Sequence, residues 1–140
     1  MALPERELQP TVHDAIVDTM RAWLREISVT RLKRTIDWQV FPFDVHDPLD
    51  EDGELMTIIA AFSSDTACEM LFVIHPDRRA VSATALEAFT VRLNARLRAL
   101  PALADLRVFE AHPESRFSIG GVPTRVCPFP SVQVLSHWSQ

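Results

Sequence analysis

Glycine is scarce in this chain: there are three, at positions 53, 120 and 121. A phosphate-cradling loop or a dinucleotide fingerprint needs glycines at fixed spacing between a strand and a helix, so neither can be built here. A G-x-S-x-G elbow is missing too, which removes the usual sequence sign of a serine hydrolase. Cysteine is just as rare. Cys68 and Cys127 lie far apart with no C-x-x-C, so neither a disulfide framework nor a zinc knuckle is signalled, and a reducing cytoplasm fits best. The five histidines, at 13, 46, 75, 112 and 137, never form H-x-H, H-x-x-x-H or H-E-x-x-H, the spacings that turn two imidazoles toward one metal. No metal and no cofactor is expected.

Positive charge is in the minority. Lys and Arg number 14 against 19 Asp and Glu, for a net charge of −5. Affinity for nucleic acid rests on neutralising phosphates with Lys and Arg, so no nucleic-acid partner is expected. Lys33 is the single lysine, a bias that fits a GC-rich genome as well as a need for rigid bidentate donors. No apolar run approaches the ~18 residues of a membrane span. The first residues, Met-Ala-Leu-Pro-Glu-Arg-Glu, lack the basic-then-apolar order of a signal peptide. The expectation is a cytoplasmic protein with no membrane partner.

What the chain does have is enough apolar material for one core: 47% of its 140 residues are hydrophobic, ordinary usage for one domain. Residues 1–10 read as a flexible leader, 11–121 as a single domain, and 122–140 as a proline-rich arm or edge strand. Thr11 can cap a first helix over 11–28, whose Val12, Ile16, Met20, Trp23, Leu24 and Ile27 recur at spacings of three and four. A strand follows over 36–44, with Ile36, Trp38 and Val40 on one face. Residues 44–54, acidic and carrying Asp47-Pro48 and Asp52-Gly53, read as a solvated hairpin loop.

Residues 55–62 and 67–75 are expected to form a central hairpin. A three-residue loop would set Met56, Ile58, Ala60 and Phe62 opposite Ile74, Phe72, Met70 and Cys68, making one side wholly apolar. A second helix follows, capped by a Thr84–Glu87 box or begun earlier at Ser82 or Asp77; its apolar face is Leu86, Phe89, Leu93, Leu97 and Leu100, and Pro101 closes it. A short hairpin over 106–111 and 116–119 and an edge strand or arm over 132–138 complete the chain. The fold class predicted is α+β: a mainly antiparallel sheet of four to five strands packed against two helices, in the order αβββαββ.

The acidic loop fails the calcium-loop pattern, since Pro48 and Ile59 stand where ligands belong. Cys68 points into the apolar face of the expected hairpin and reads as structural, whereas Cys127, among Val126, Pro128 and Phe129, reads as the more exposed thiol. His75 and His112 each precede a proline at a strand end and read as half-exposed turn residues. A small enzyme would require His75, Glu69 and Asp77 to converge on a pocket. Without a catalytic constellation, the sequence points to a non-enzymatic protein with no small-molecule substrate.

Contact residues are then sought in the charged segments and the tail: Arg31, Lys33 and Arg34 on one side, Asp47, Asp50, Glu51 and Asp52 on the other, with Pro128, Phe129, Pro130 and Trp138 in the arm. Opposite charges on one chain favour head-to-tail self-association, a geometry that closes into rings.

The order helix, three strands, helix ending in Leu-Pro-Ala-Leu-Ala-Asp-Leu at 100–106, then a strand pair, resembles the tail-terminator proteins of long-tailed bacteriophages. The resemblance implies a hexameric ring capping a tail tube, hence a structural component of a phage tail or neck in virion assembly. In size, acidity and element order the chain also resembles the dimeric type III secretion chaperones, which bind an unfolded effector segment. That likeness implies a small acidic adaptor acting as a dimer.

Overall fold

The structure, a computed structural model, describes residues 12–27, 35–114, 118–119, 122–123 and 127–136. In chain order it contains α1 (Val12–Ile27), β1 (Ile36–Val40), α2 (Glu54–Ser64), β2 (Met70–Ile74), α3 (Ala83–Arg98), a 3-10 turn (Pro101–Leu103), β3 (Arg107–Ala111), β4 (Ser118–Ile119), β5 (Val122–Pro123) and β6 (Ser131–Leu135). The class is α+β, with three helices about a four-stranded sheet in the order β1-β2-β6-β3, and a separate two-stranded ladder of β4 and β5.

The helix at 54–64 replaces the expected hairpin. The run Leu-Met-Thr-Ile-Ile-Ala-Ala-Phe satisfies two periods at once: Met56, Ile58, Ala60 and Phe62 alternate, while Leu55, Met56, Ile59 and Phe62 line one helical face. The helical set is the one buried, and Ala60 is exposed. Tertiary geometry decides between them. β1 and β2 run parallel, Ile36 beside Met70 and Val40 beside Ile74, and parallel neighbours need a crossover that a tight turn cannot supply. Alanines at 60 and 61 also favour helix over strand. The sheet is therefore mixed, antiparallel at two of its three pairings and parallel between β1 and β2, and among the described residues the helices are three where two were expected.

All five residues of β2 are buried, because helices cover both faces of the strand. Leu71 and Val73, with Val132, Val134 and Val108, join α2 and α3 in one core; Met70, Phe72 and Ile74 join Ile16, Met20 and Leu24 of α1 in the other. The α1 stripe lies where the sequence places it at Ile16, Met20, Trp23 and Leu24, with Val12 left exposed. Ile36, Trp38 and Val40 share the α1 face as expected, although β1 ends at Val40 rather than at 44. Ser82, not Thr84, caps α3, its hydroxyl accepting from the Ala85 amide at 3.1 Å. Leu86, Phe89, Leu93 and Leu97 form the buried face of α3.

The segment read as an arm or edge strand is an inner strand. β6 lies between β2 and β3, antiparallel to both, with Val132 opposite Val73 and Glu110. Val132 and Val134 alternate with Ser131 and Gln133 as in any strand; the prolines at 128 and 130 precede it and never enter it, so they cost the ladder no hydrogen bond. β3 accordingly pairs with β6, and residues 118–119 pair with 122–123 instead of with β3.

The candidate site: one open sheet edge, one closed

Residues 41–53 carry the chain from β1 to α2 in a loop that forms no hairpin. Asp44 and Asp47 each accept from the backbone amide two residues on, at His46 and Leu49. Leu49 takes φ 63° yet is buried beside Phe43 and Leu55. Arginines of α3 hold this loop by its carbonyls, Arg92 reaching those of Val45 and Asp47 and Arg96 that of Leu49. Asp50, Glu51 and Asp52 remain exposed, and the arginines of α3 reach the loop's carbonyls rather than these carboxylates. Arg31, Lys33, Arg34 and Trp138 lie outside the described residues, as does most of the basic segment set against the loop.

The tail residues serve the fold. The Pro130 carbonyl accepts from the His75 amide at 2.8 Å, Pro130 is buried, and Arg78 stacks over the half-buried Phe129 ring at 4.7 Å. The two cysteines exchange the places expected of them. Cys127 is buried, and its thiol donates to the Phe129 carbonyl at 2.8 Å. Burial pushes that thiol up to about 12 against the opposing effect of its hydrogen bonds, and so high a value leaves almost no thiolate near neutral pH. Cys68 is the half-buried one, its thiol raised by desolvation and by Asp65 and Asp37 nearby.

His75 and His112 are buried rather than half-exposed, at 8% and 3% of their free surface. They end β2 and β3, which point the same way, and each begins a His-Pro-acid triplet. In both, Nδ1 accepts from the amide two residues on, Asp77 at 3.1 Å and Glu114 at 2.9 Å. His112 Nε2 lies 2.6 Å from the Val81 carbonyl; with Nδ1 accepting, Nε2 is the nitrogen that donates, and the ring uses both nitrogens structurally. Desolvation lowers the pKa of His75, and Asp77 partly offsets it. Glu69, which precedes β2, stands roughly 20 Å from His75 at ~3.3 Å per strand residue, so His75, Glu69 and Asp77 do not converge. Among the described residues no group of three His, Cys, Asp or Glu side chains could hold a metal ion, and no helix is long and apolar enough to cross a membrane.

The sheet edges differ from one another. At β3, Asn94 of α3 occupies the outer face of the strand: its Nδ2 donates to the Val108 carbonyl and its Oδ1 accepts from the Val108 amide, both at 2.9 Å. At β1, the Phe41 amide donates to Ile74 and the Thr35 carbonyl accepts from Glu69 and Met70, so odd-numbered residues turn their backbone groups toward β2. Ile36, Trp38 and Val40 therefore direct theirs outward, and among the described residues nothing bonds to them. All five β1 residues are half-buried. A groove runs beside this edge, between Asp14, Asp18 and Arg21 of α1 and Ile36, Asp37 and Trp38 of β1.

Trp38 marks the edge. Its ring stacks on Phe72 at 4.9 Å, Phe72 and Trp23 meet in a T-shaped pair, and the Arg21 guanidinium lies 5.9 Å above Trp38. Sequence reasoning placed Trp38 on the right face but gave no sign of an open edge, because which strand lies outermost is settled by the position of β6. Compared with protein-family models, curated proteins and solved structures, the chain matches none of them.

Proposed function

We propose that this chain is a non-enzymatic assembly protein that works through protein–protein contacts, and that its contact surface is the open edge of β1. The observation that carries this reading is the difference between the two edges: Asn94 stoppers β3 at Val108, while β1 keeps a row of outward N–H and C=O groups. Unprotected edges recruit further strands, and proteins that do not use them block them. The groups that could have carried chemistry, Cys127, His75 and His112, are bound up in backbone hydrogen bonds.

Two narrower forms of the proposal differ in stoichiometry. A ring-forming phage tail or neck component of the terminator type rested on an element order in which residues 55–62 were strand, and they lie in helix α2. A ring built by continuing the sheet also needs two open edges. A dimeric adaptor or chaperone needs one, and one open edge of the four-stranded sheet among the described residues favours it.

Photo-cross-linking in the producing cell tests the reading. A photoreactive phenylalanine analogue at Gln39 is expected to form polypeptide adducts far more often than the same analogue at Arg98, on the exposed last turn of α3. Equal yields at the two positions would overturn it.

A further inference from the structure

We infer that the occupant of the β1 edge is a second copy of this chain, its β1 antiparallel to the first and in register about Trp38, so that two four-stranded sheets become one. This inference rests on the reading of β1 as the contact surface and adds the identity of the partner.

The strand is complementary to itself in that register. Trp38 meets Trp38 of the partner subunit, and Ile36 meets Val40 of the partner subunit. Every outward-facing residue then belongs to a hydrogen-bonded pair, giving about six main-chain bonds with no outward group of Ile36, Trp38 or Val40 unused. Side chains agree on both faces. Ile36, Trp38 and Val40 lie on the α1 face, where they make apolar cross-strand pairs. On the other face Asp37 meets Gln39 of the partner subunit, an acceptor against a donor, and within one chain the Gln39 amide already donates to Asp37 at 2.8 Å.

Helix α1 gives a second, independent reason. Asp14, Asp18, Arg21 and Arg25 follow one another at four, three and four residues along α1, so they form a single row, acidic in its first half and basic in its second. Asp14, Asp18 and Arg21 line the groove beside β1. An antiparallel copy of that row sets Asp18 against Arg21 of the partner subunit and Asp14 against Arg25 of the partner subunit. Both pairs are centred between residues 19 and 20.

The strand is centred on Trp38, and the Arg21 guanidinium sits over the Trp38 ring. One two-fold axis therefore serves both elements. α1 lies across β1 and β2, through Arg21 on Trp38 and Trp23 on Phe72, about 5 Å from that axis if strands are ~4.8 Å apart. The two helices then stand about 10 Å apart, an ordinary packing distance. With β3 blocked by Asn94, head-to-tail continuation is closed and the isologous pair remains.

Native mass spectrometry and sedimentation of the purified full chain test this. The wild type is expected to be a dimer. Gln39→Glu sets like charges opposite each other twice across the axis, and so does the double variant Asp37→Lys with Gln39→Lys. Each alone should weaken dimerisation about tenfold, and mixing the two should restore it as a heterodimer, which also shows that both are folded. Arg21→Glu should weaken the dimer as well, and adding Asp18→Arg in the same chain should recover it. A monomeric wild type at high concentration, or variants that dimerise unchanged, would overturn the inference. A monomer that nonetheless cross-links from position 39 to a different polypeptide in cells would overturn the second copy as partner and leave the assembly reading standing.

Discussion

Asn94 holds both backbone groups of Val108, amide and carbonyl, at 2.9 Å each, and so stands where the next strand of the sheet would be. The helix that carries Asn94 is fixed against the sheet by Leu86, Phe89, Leu93 and Leu97, which makes the side-chain amide a rigid plug. Asn94→Leu should strand a donor and an acceptor in a half-buried site, at about 1–3 kcal/mol. Chemical denaturation measures that loss. The variant should also form larger species by light scattering, through a β3 edge that can now accept a strand; stability and mass both unchanged would show that Asn94 blocks nothing.

β6 makes a second prediction, opposite to the one its prolines suggest. Removing residues 131–140 takes out a strand with Val132 and Val134 fully buried and bares the facing edges of β2 and β3. Loss of two buried valines alone costs about 3 kcal/mol or more, and the ladders on both sides go with them. The truncated chain should show no cooperative thermal transition. A sharp melt close to that of the full chain would mean that β6 is dispensable.

The parts of the fold legible in the sequence were those with one dominant period. Ile16, Met20 and Leu24, and Leu86, Phe89, Leu93 and Leu97, could only be helix faces, and Ile36, Trp38 and Val40 only a strand face. Residues 55–62 were ambiguous because an almost unbroken apolar run fits both periods, and the parallel pairing of β1 with β2 decides for the helix that Ala60 and Ala61 already favour. Strand order was illegible for a related reason: a proline-rich approach says how the chain enters β6, not between which strands it inserts. The open edge at Ile36, Trp38 and Val40 depends on that order, so no local pattern could announce it. Cys127 was misplaced because its neighbours were read as tail when they close the core.

His75 predicts how stability depends on pH. Its folded pKa is lowered, chiefly by burial, so between that value and the ordinary ~6.5 the unfolded chain binds the proton that the folded chain resists. Stability is therefore full above about pH 6.5 and declines as the solution is acidified below it. His75→Asn keeps an acceptor for the Asp77 amide and removes the titration. Melting temperatures should fall from pH 7 to pH 5.5 in the wild type and fall less in the variant. Parallel pH profiles would show that His75 contributes nothing to the slope.

Cys127 and Cys68 should separate under alkylation. Reaction requires thiolate and access, and Cys127 has neither: it is 3% exposed, its proton is held by the Phe129 carbonyl, and its pKa stands near 12. Cys68 is also raised, yet it is half-buried in the turn before β2 and within reach of reagent. With iodoacetamide at pH 8, peptide mass spectrometry should find Cys68 modified first and Cys127 modified at the rate of global unfolding, so that denaturant makes the two alike. Replacement by the nearly isosteric Cys127→Ser should leave a hydroxyl in the same hydrogen bond and cost little beyond the poorer fit of a polar atom, about 1–2 kcal/mol. Rapid labelling of Cys127 in the native protein would mean that the segment before β6 opens on its own, and the core would then end at Ser131 rather than at Cys127.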